Sequence, residues 1–288
     1  MPELPETQIV VNELNKSIKN YKIKDFWMNW KYFNEINQFK KNIINKTIKN
    51  IQRKGKNILF YLSNDYILLI HQRISGHLLI GKWIIKNNKP IPIKNKKIIN
   101  DIKNQFIHFI LILNKNKMIG LSDQRKLAKI KFGPIKKILN LPEIKNLGID
   151  PLDKNFTLNN LKLILNSSKT IKTLLMDYHY ISGIGNIYSD EILWKAKIHP
   201  LTKSNKLNDI DIKNLYQSIK FILKRALKLG GSSINNYRNA YGNKGLYINY
   251  GYVYQKANKK CKRCNNLIKK IKINSRSSYF CPKCQIIK

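Results

Sequence analysis

The chain carries only four cysteines among its 288 residues, spaced Cys261-x2-Cys264-x16-Cys281-x2-Cys284. No other feature restricts the fold so tightly. Two Cys-x2-Cys knuckles offer four sulfurs that can surround one ion, and Zn²⁺ prefers a closed tetrahedral thiolate site. One structural Zn²⁺ on these four residues is the expectation; the competing reading is two disulfides or free thiols. Cysteines confined to one end do not make a scattered disulfide framework, so a reducing compartment is expected. Between the knuckles, Ile268 to Ile273 and Ser278 to Phe280 can form a hairpin. From Gln255 to Lys288 there are eleven Lys/Arg and no Asp/Glu. A zinc hairpin with that balance suits nucleic acid. Arg276, near its tip, reads either as a phosphate ligand or as a solvated surface arginine.

The same sign runs through the whole chain: 55 Lys+Arg stand against 16 Asp+Glu, a net charge of +39. Such a field recruits polyanions, because each neutralised phosphate releases counterions. Nucleic acid leads as partner and an anionic membrane surface follows. Lys, Asn and Ile also abound in ordinary surface stretches such as Lys94 to Lys97, so part of the charge reflects codon composition. No apolar run reaches the length of a membrane span: the longest, Phe106 to Leu113, is interrupted by His108. The acidic, proline-bearing start does not read as a signal peptide, so a cytoplasmic, nucleoid-associated protein is expected.

Apolar periodicity divides the rest. Val10, Leu14 and Ile18 form a helical stripe over Glu6 to Ile18. From about Tyr21 to Ile130, short apolar runs separated by Asn, Gly, Lys and Pro predict an all-β region, a sandwich or flattened barrel. Gly133-Pro134 marks a break. Helical signals follow, one opening after Thr157 and a long one running from Asp209 to a stop at Gly230-Gly231. The expectation is a monomeric α+β multidomain chain: a β-sandwich domain over 1–133, a helical domain over 134–234, and a loop with the zinc hairpin over 235–288.

Smaller motifs are ambiguous alone. MPELPET puts Pro and Glu where a helix start favours both. Gly183-Ile184-Gly185-Asn186 precedes a helix; it is either a tight turn or a phosphate loop in which Asn186 caps the helix or donates to phosphate. Lys56 ends the turn QRKGK before a strand, a solvated charge or a phosphate ligand. His71 opens HQRISG, where a hydrogen-bonded structural role competes with a functional one.

Together these motifs resemble the bacterial formamidopyrimidine-DNA glycosylases, the Fpg/Nei family of base-excision repair enzymes. MPELPE, QRKGK, HQRISG, DQRKLA, IKTLLMD, GIGNIYSDEIL, GGSSINNY and NSRSSYFC carry the resemblance across essentially the whole chain. Leu4 favours the formamidopyrimidine branch over the endonuclease VIII branch. The resemblance implies an N-terminal helix with a β-sandwich, a helix–two-turn–helix domain and a zinc finger, with damaged double-stranded DNA in the cleft. It implies a bifunctional glycosylase/AP lyase for oxidised purines. An oxidised-pyrimidine enzyme and a non-catalytic DNA-binding descendant are the alternatives.

The same resemblance implies residue roles. Once Met1 is removed, Pro2 presents a secondary amine that attacks the sugar C1′ and forms a Schiff base. Glu3 is the acid/base, Glu6 supports the site, and Lys56 and Arg276 assist elimination. His71 and Asn186 hold the phosphates flanking a flipped nucleotide. Ile74, Arg125 and Leu127 occupy the wedge positions, with Ile and Leu replacing the family's Met and Phe. Arg73 and Ala128 replace usual glycines, Gln8 a frequent Glu, and Ser167-Ser168 a stretch that is often basic.

Overall fold

The computed structural model describes residues 1–29 and 36–288. They form two compact units, one made of Met1–Lys145 with Gly230–Leu246, the other of Asn146–Leu229 with Tyr247–Lys288.

The first unit opens with helix α1 (Leu4–Ile18), whose expected stripe is fully buried at Val10, Leu14 and Ile18. Asn15 fastens it to the sheet: its Nδ2 donates to the Ile51 carbonyl, and its Oδ1 accepts the Ile51 N–H at 3.0 Å. Nine strands follow: β1 (Ile23–Met28), β2 (Ile48–Lys54), β3 (Asn57–Leu62), β4 (Tyr66–His71), β5 (Gly76–Lys86), β6 (Lys89–Lys94), β7 (Ile107–Leu113), β8 (Met118–Asp123) and β9 (Lys129–Pro134). They build two antiparallel sheets, ordered β1-β7-β8-β5-β6 and β2-β3-β4-β9. Phe60, Leu68 and Ile70 from one sheet meet Phe109, Leu111 and Leu121 from the other in a core that α1 completes. This is the expected sandwich. Each such side chain contributes about 1.5–3 kcal/mol on burial.

The all-β expectation for Tyr21 to Ile130 needs correction. Helices α2 (Ile36–Ile43) and α3 (Lys96–Asn100) interrupt the region. In α2, Phe39 and Ile43 lie four residues apart, a helical spacing, and both are buried. Two further short helices, α4 (Ile135–Leu139) and α5 (Pro142–Lys145), set Ile138 and Ile144 against Leu59, Ile67 and Leu69 on the outer face of the four-stranded sheet.

The second unit contains helices α6 (Leu158–Leu165), α7 (Ile171–Met176), α8 (Asn186–Ala196), α9 (Asp209–Lys228) and α10 (Tyr247–Tyr250), and the hairpin β10 (Lys269–Ile273) and β11 (Arg276–Phe280). Thr157 caps α6, and Asn208 with Asp211 forms a capping box at the start of α9. Helix α8 is buried almost all round, including Ser189, Asp190 and Glu191. A helix without a solvent face must pair its polar side chains internally, and both acids serve as anchors. Glu191 accepts the backbone N–H groups of Tyr252, Val253 and Tyr254 at 2.7–3.0 Å.

Candidate active site and DNA-binding elements

The amino-terminal tip is a built structure. Pro2 and Glu3 are buried while Met1 is exposed. Glu3 is the N-cap of α1, Pro5 lies in the first turn, and Glu3 with Glu6 forms a capping box. One oxygen of Glu6 accepts the Glu3 N–H at 2.8 Å; the other accepts the Ser232 N–H at 2.7 Å. Glu6 therefore ties the tip to the 230–246 segment. Gly231 lets that segment approach: its φ is +77°, and a Cβ there would sit 2.8 Å from Glu6 Oε1. Burial pushes the amino group of the chain below its ordinary 8.0, with Glu3 and Glu6 pulling it up and Lys56 pushing it further down. Lys56 and both glutamates thus act electrostatically on the tip.

Lys56 leaves the turn between β2 and β3, where Gly55 takes φ +58°. Arg53 braces this turn, donating to the Gly55 carbonyl at 3.0 Å and to Gln8 Oε1 at 2.8 Å. The Gln8 that departs from the family's frequent Glu still provides an acceptor for Arg53. His71 ends β4 opposite Asn57, the first residue of β3. Its Nδ1 accepts the Arg73 N–H at 3.0 Å. Burial, helped by Arg73 and Lys56, lowers its pKa to about 4. The ring is therefore neutral near pH 7 with its proton on Nε2, which leaves a donor suited to phosphate.

The wedge positions stand on two loops joined by an aspartate. Asp123, fully buried, accepts the Ser75 hydroxyl, the Arg125 N–H at 3.2 Å and the Ala128 N–H at 2.7 Å. Ile74 and Leu127 are exposed at 46% and 44% on these loops, and Arg125 is exposed beside them. Large apolar side chains left in water on braced loops suit insertion into a base stack. Asp123 had escaped sequence reasoning; its signal was an acid in an otherwise basic segment, next to a strand end. Arg73 holds φ +52°, which explains the usual glycine there. Ala128 is buried and keeps a negative φ, so nothing at that position requires glycine.

In the second unit, Asn186 is the first helical residue of α8, not its cap; Gly185 takes the N-cap position. The Asn186 amide instead donates from Nδ2 to the Ser277 carbonyl at 3.0 Å. Asn186 is thereby joined to the strand that starts with exposed Arg276, just past the two-residue turn Asn274-Ser275.

The four cysteine sulfurs lie within 4.8 Å of one another. Cys264 and Cys281 Sγ are 3.4 Å apart, Cys261 and Cys284 Sγ 4.0 Å. A tetrahedral site with Zn–S near 2.3 Å needs sulfurs about 3.8 Å apart. The Trp194 Nε1–H, at 3.3 Å, and the Arg263 N–H, at 3.5 Å, both point at Cys261 Sγ, the pattern a metal-bound thiolate accepts. The donor set fits one structural Zn²⁺, with no position open for chemistry.

Comparisons with known proteins agree with this geometry. Residues 1–130 match the formamidopyrimidine-DNA glycosylase N-terminal domain, 147–238 its H2TH domain, and 258–286 a zinc finger found in FPG and IleRS. The formamidopyrimidine-DNA glycosylase of Wolbachia sp. subsp. Brugia malayi is 35% identical, with 99% of this chain and 100% of that protein covered. That of Bacillus subtilis is 32% identical, with 99% of each chain covered. Among solved structures, Lactococcus lactis Fpg in complex with abasic-site DNA superposes with a TM-score of 0.84 at 33% identity, covering 99% of both chains. The same protein with N7-benzyl-Fapy-dG DNA gives 0.85. Likeness that runs unbroken from the proline tip through the helical unit to the cysteine knuckles leaves one conclusion: the chain belongs to the formamidopyrimidine-DNA glycosylase family.

Proposed function

We propose that the chain is a base-excision repair enzyme, a bifunctional DNA glycosylase/AP lyase that removes oxidised purines such as 8-oxoguanine and formamidopyrimidines from double-stranded DNA. It acts as a monomer in the cytoplasm, on the nucleoid. The division of labour follows the boundaries 1–133, 134–234 and 235–288: catalysis, DNA binding by the helix–two-turn–helix, and the zinc finger. The observation that carries the reading is the buried Pro2–Glu3 tip, pinned by Glu6, at the start of α1.

Removal of Met1 turns the Pro2 nitrogen into a secondary amine. The positive end of α1 disfavours its protonated form, which favours the neutral amine that attack requires. Its lone pair forms a bond to C1′ while the C1′–base bond breaks, and the departing base takes up the proton that the amine nitrogen gives up. Glu3 protonates the sugar ring oxygen as the ring opens, leaving an iminium. The iminium acidifies the C2′ proton; its loss expels the 3′ phosphate, and a second elimination expels the 5′ phosphate. Lys56 and Arg276 neutralise phosphate charge, while uncharged His71 and Asn186 hold the flanking phosphates as hydrogen-bonding groups. Arginine stays protonated, so Arg276 serves as a clamp and not as a proton donor. Ile74, Arg125 and Leu127 fill the gap left by the flipped nucleotide. When bound, Zn²⁺ fixes the fold of the finger; Cys261, Cys264, Cys281 and Cys284 would hold it.

Excision assays with 8-oxoguanine:C and an oxidised-pyrimidine duplex, in parallel, test the substrate class. Faster release of the oxidised purine is expected. Preference for the pyrimidine would favour the endonuclease VIII-like alternative, and release of neither would favour a non-catalytic descendant.

A further inference from the structure

Arg276 owes its position to neighbours outside its own hairpin. A two-stranded hairpin alone is marginal, and a slip of one residue would turn Arg276 to the opposite face. The three residues after Arg276 are each held from the helical part of the unit. The Ser277 carbonyl accepts Asn186 Nδ2 at 3.0 Å and Lys172 Nζ at 3.3 Å. The Ser278 hydroxyl donates to Asp190 Oδ1 at 2.7 Å, and the Tyr279 N–H donates to Asp190 Oδ2 at 2.9 Å. On the other side of the turn, Asn274 Nδ2 donates to Thr173 Oγ1 at 3.1 Å.

At the centre is an ion pair, Lys172 Nζ to Asp190 Oδ1 at 2.6 Å, with side chains 1% and 0% exposed. Asp190 takes three donors and Lys172 bridges it to Ser277. An apolar core would supply stability at such a site at least as well as a buried ion pair, whose desolvation offsets its attraction. What the pair adds is direction: it accepts only one register of β11.

We propose that Asp190 and Lys172 are positioning residues that index β11 and so aim Arg276 at one DNA phosphate. The inference rests on the reading of Arg276 as a phosphate clamp. It predicts that losing the pair removes one phosphate contact while the zinc finger stays folded.

The test uses the full-length, zinc-loaded, Met1-processed protein and a duplex carrying a tetrahydrofuran abasic analogue. Affinity is measured across a salt series. Each phosphate contact contributes about 0.9 to the slope of log Kobs against log[salt]. Arg276→Ala should reduce the slope by about that amount. Asp190→Asn should do the same, and the double variant should lose no more than either single one. Zinc content and Tm identify variants that are folded. Should Asp190→Asn fail to fold, Asp190→Leu combined with Lys172→Met replaces the pair by apolar volume and should show the same loss. A wild-type slope in folded Asp190→Asn or in the Leu/Met variant, beside a reduced slope in Arg276→Ala, would overturn the proposal. An unchanged slope in Arg276→Ala would instead remove the clamp on which the proposal stands, and the proposal with it.

Discussion

Single buried groups account for much of the behaviour expected of this enzyme. His77 is fully enclosed, with Nε2 2.9 Å from Asn104 Oδ1. Burial lowers its pKa from 6.5 to about 4, against the hydrogen bonds to Asn104 and Ser75 and the charge of Asp101, and with help from Arg238. The folded value lies below the unfolded one, so the unfolded chain binds the proton first as pH falls. The stability His77 contributes is therefore present above about pH 6.5 and lost progressively toward pH 4. His71 acts in the same direction. Thermal melts from pH 7.5 to 4.5 should show Tm falling through this window, and His77→Gln should flatten the fall. At Gly231 an added methyl meets both a left-handed φ and Glu6 Oε1. Gly231→Ala should cost about 1–2 kcal/mol and slow Schiff-base trapping more than it lowers Tm, because Glu6 must move away from the Glu3 N–H.

Among the elements, the wedge loops carry Ile74 and Leu127 where the family resemblance implies Met and Phe. Ile74 and Leu127 can plug a gap but cannot stack as an aromatic ring does. Base–aromatic stacking is worth about 1–3 kcal/mol, and both loops remain braced by Asp123. Leu127→Phe should tighten binding to abasic-analogue duplex severalfold with unchanged affinity for intact duplex, as read in a gel-shift titration. The elements also show what was legible in the sequence. The stripe Val10, Leu14, Ile18 gave α1, and the short apolar runs of the β region fell on paired strands as expected. Helix α2 was missed because its period spans only two turns inside an Asn- and Lys-rich stretch. Of the two roles open to Asn186, the cap falls to Gly185, because glycine at the true cap carries no side-chain signal.

Across the whole molecule, a composition that looked like drift is partly used. Of the 17 described non-glycine residues with positive φ, ten are asparagines, the residue type that tolerates that region best after glycine. The abundant Asn therefore serves turns where glycine would otherwise stand. The scarce acids are used likewise: Glu6, Asp123, Asp190 and Glu191 are all buried, each holding a loop or strand. Net charge conceals such residues, because it counts them only as subtractions from a basic total. The cysteine spacing concealed nothing, since a four-sulfur site leaves few geometries. Prolonged chelation should release about one Zn²⁺ per chain and abolish binding to lesion DNA; full binding by metal-free protein would contradict a structural metal.

The central claim is that the tip of the chain is the nucleophile. Borohydride trapping on an 8-oxoguanine:C duplex tests it most directly, with mass spectrometry reporting whether Met1 has been removed. The processed protein should form a covalent adduct through Pro2. Protein that retains Met1 should form none, because its Pro2 nitrogen is a tertiary amide, and Pro2→Gly should lose most of the adduct. No adduct from folded, zinc-loaded, processed protein, or an adduct mapped to a lysine in place of Pro2, would contradict the account.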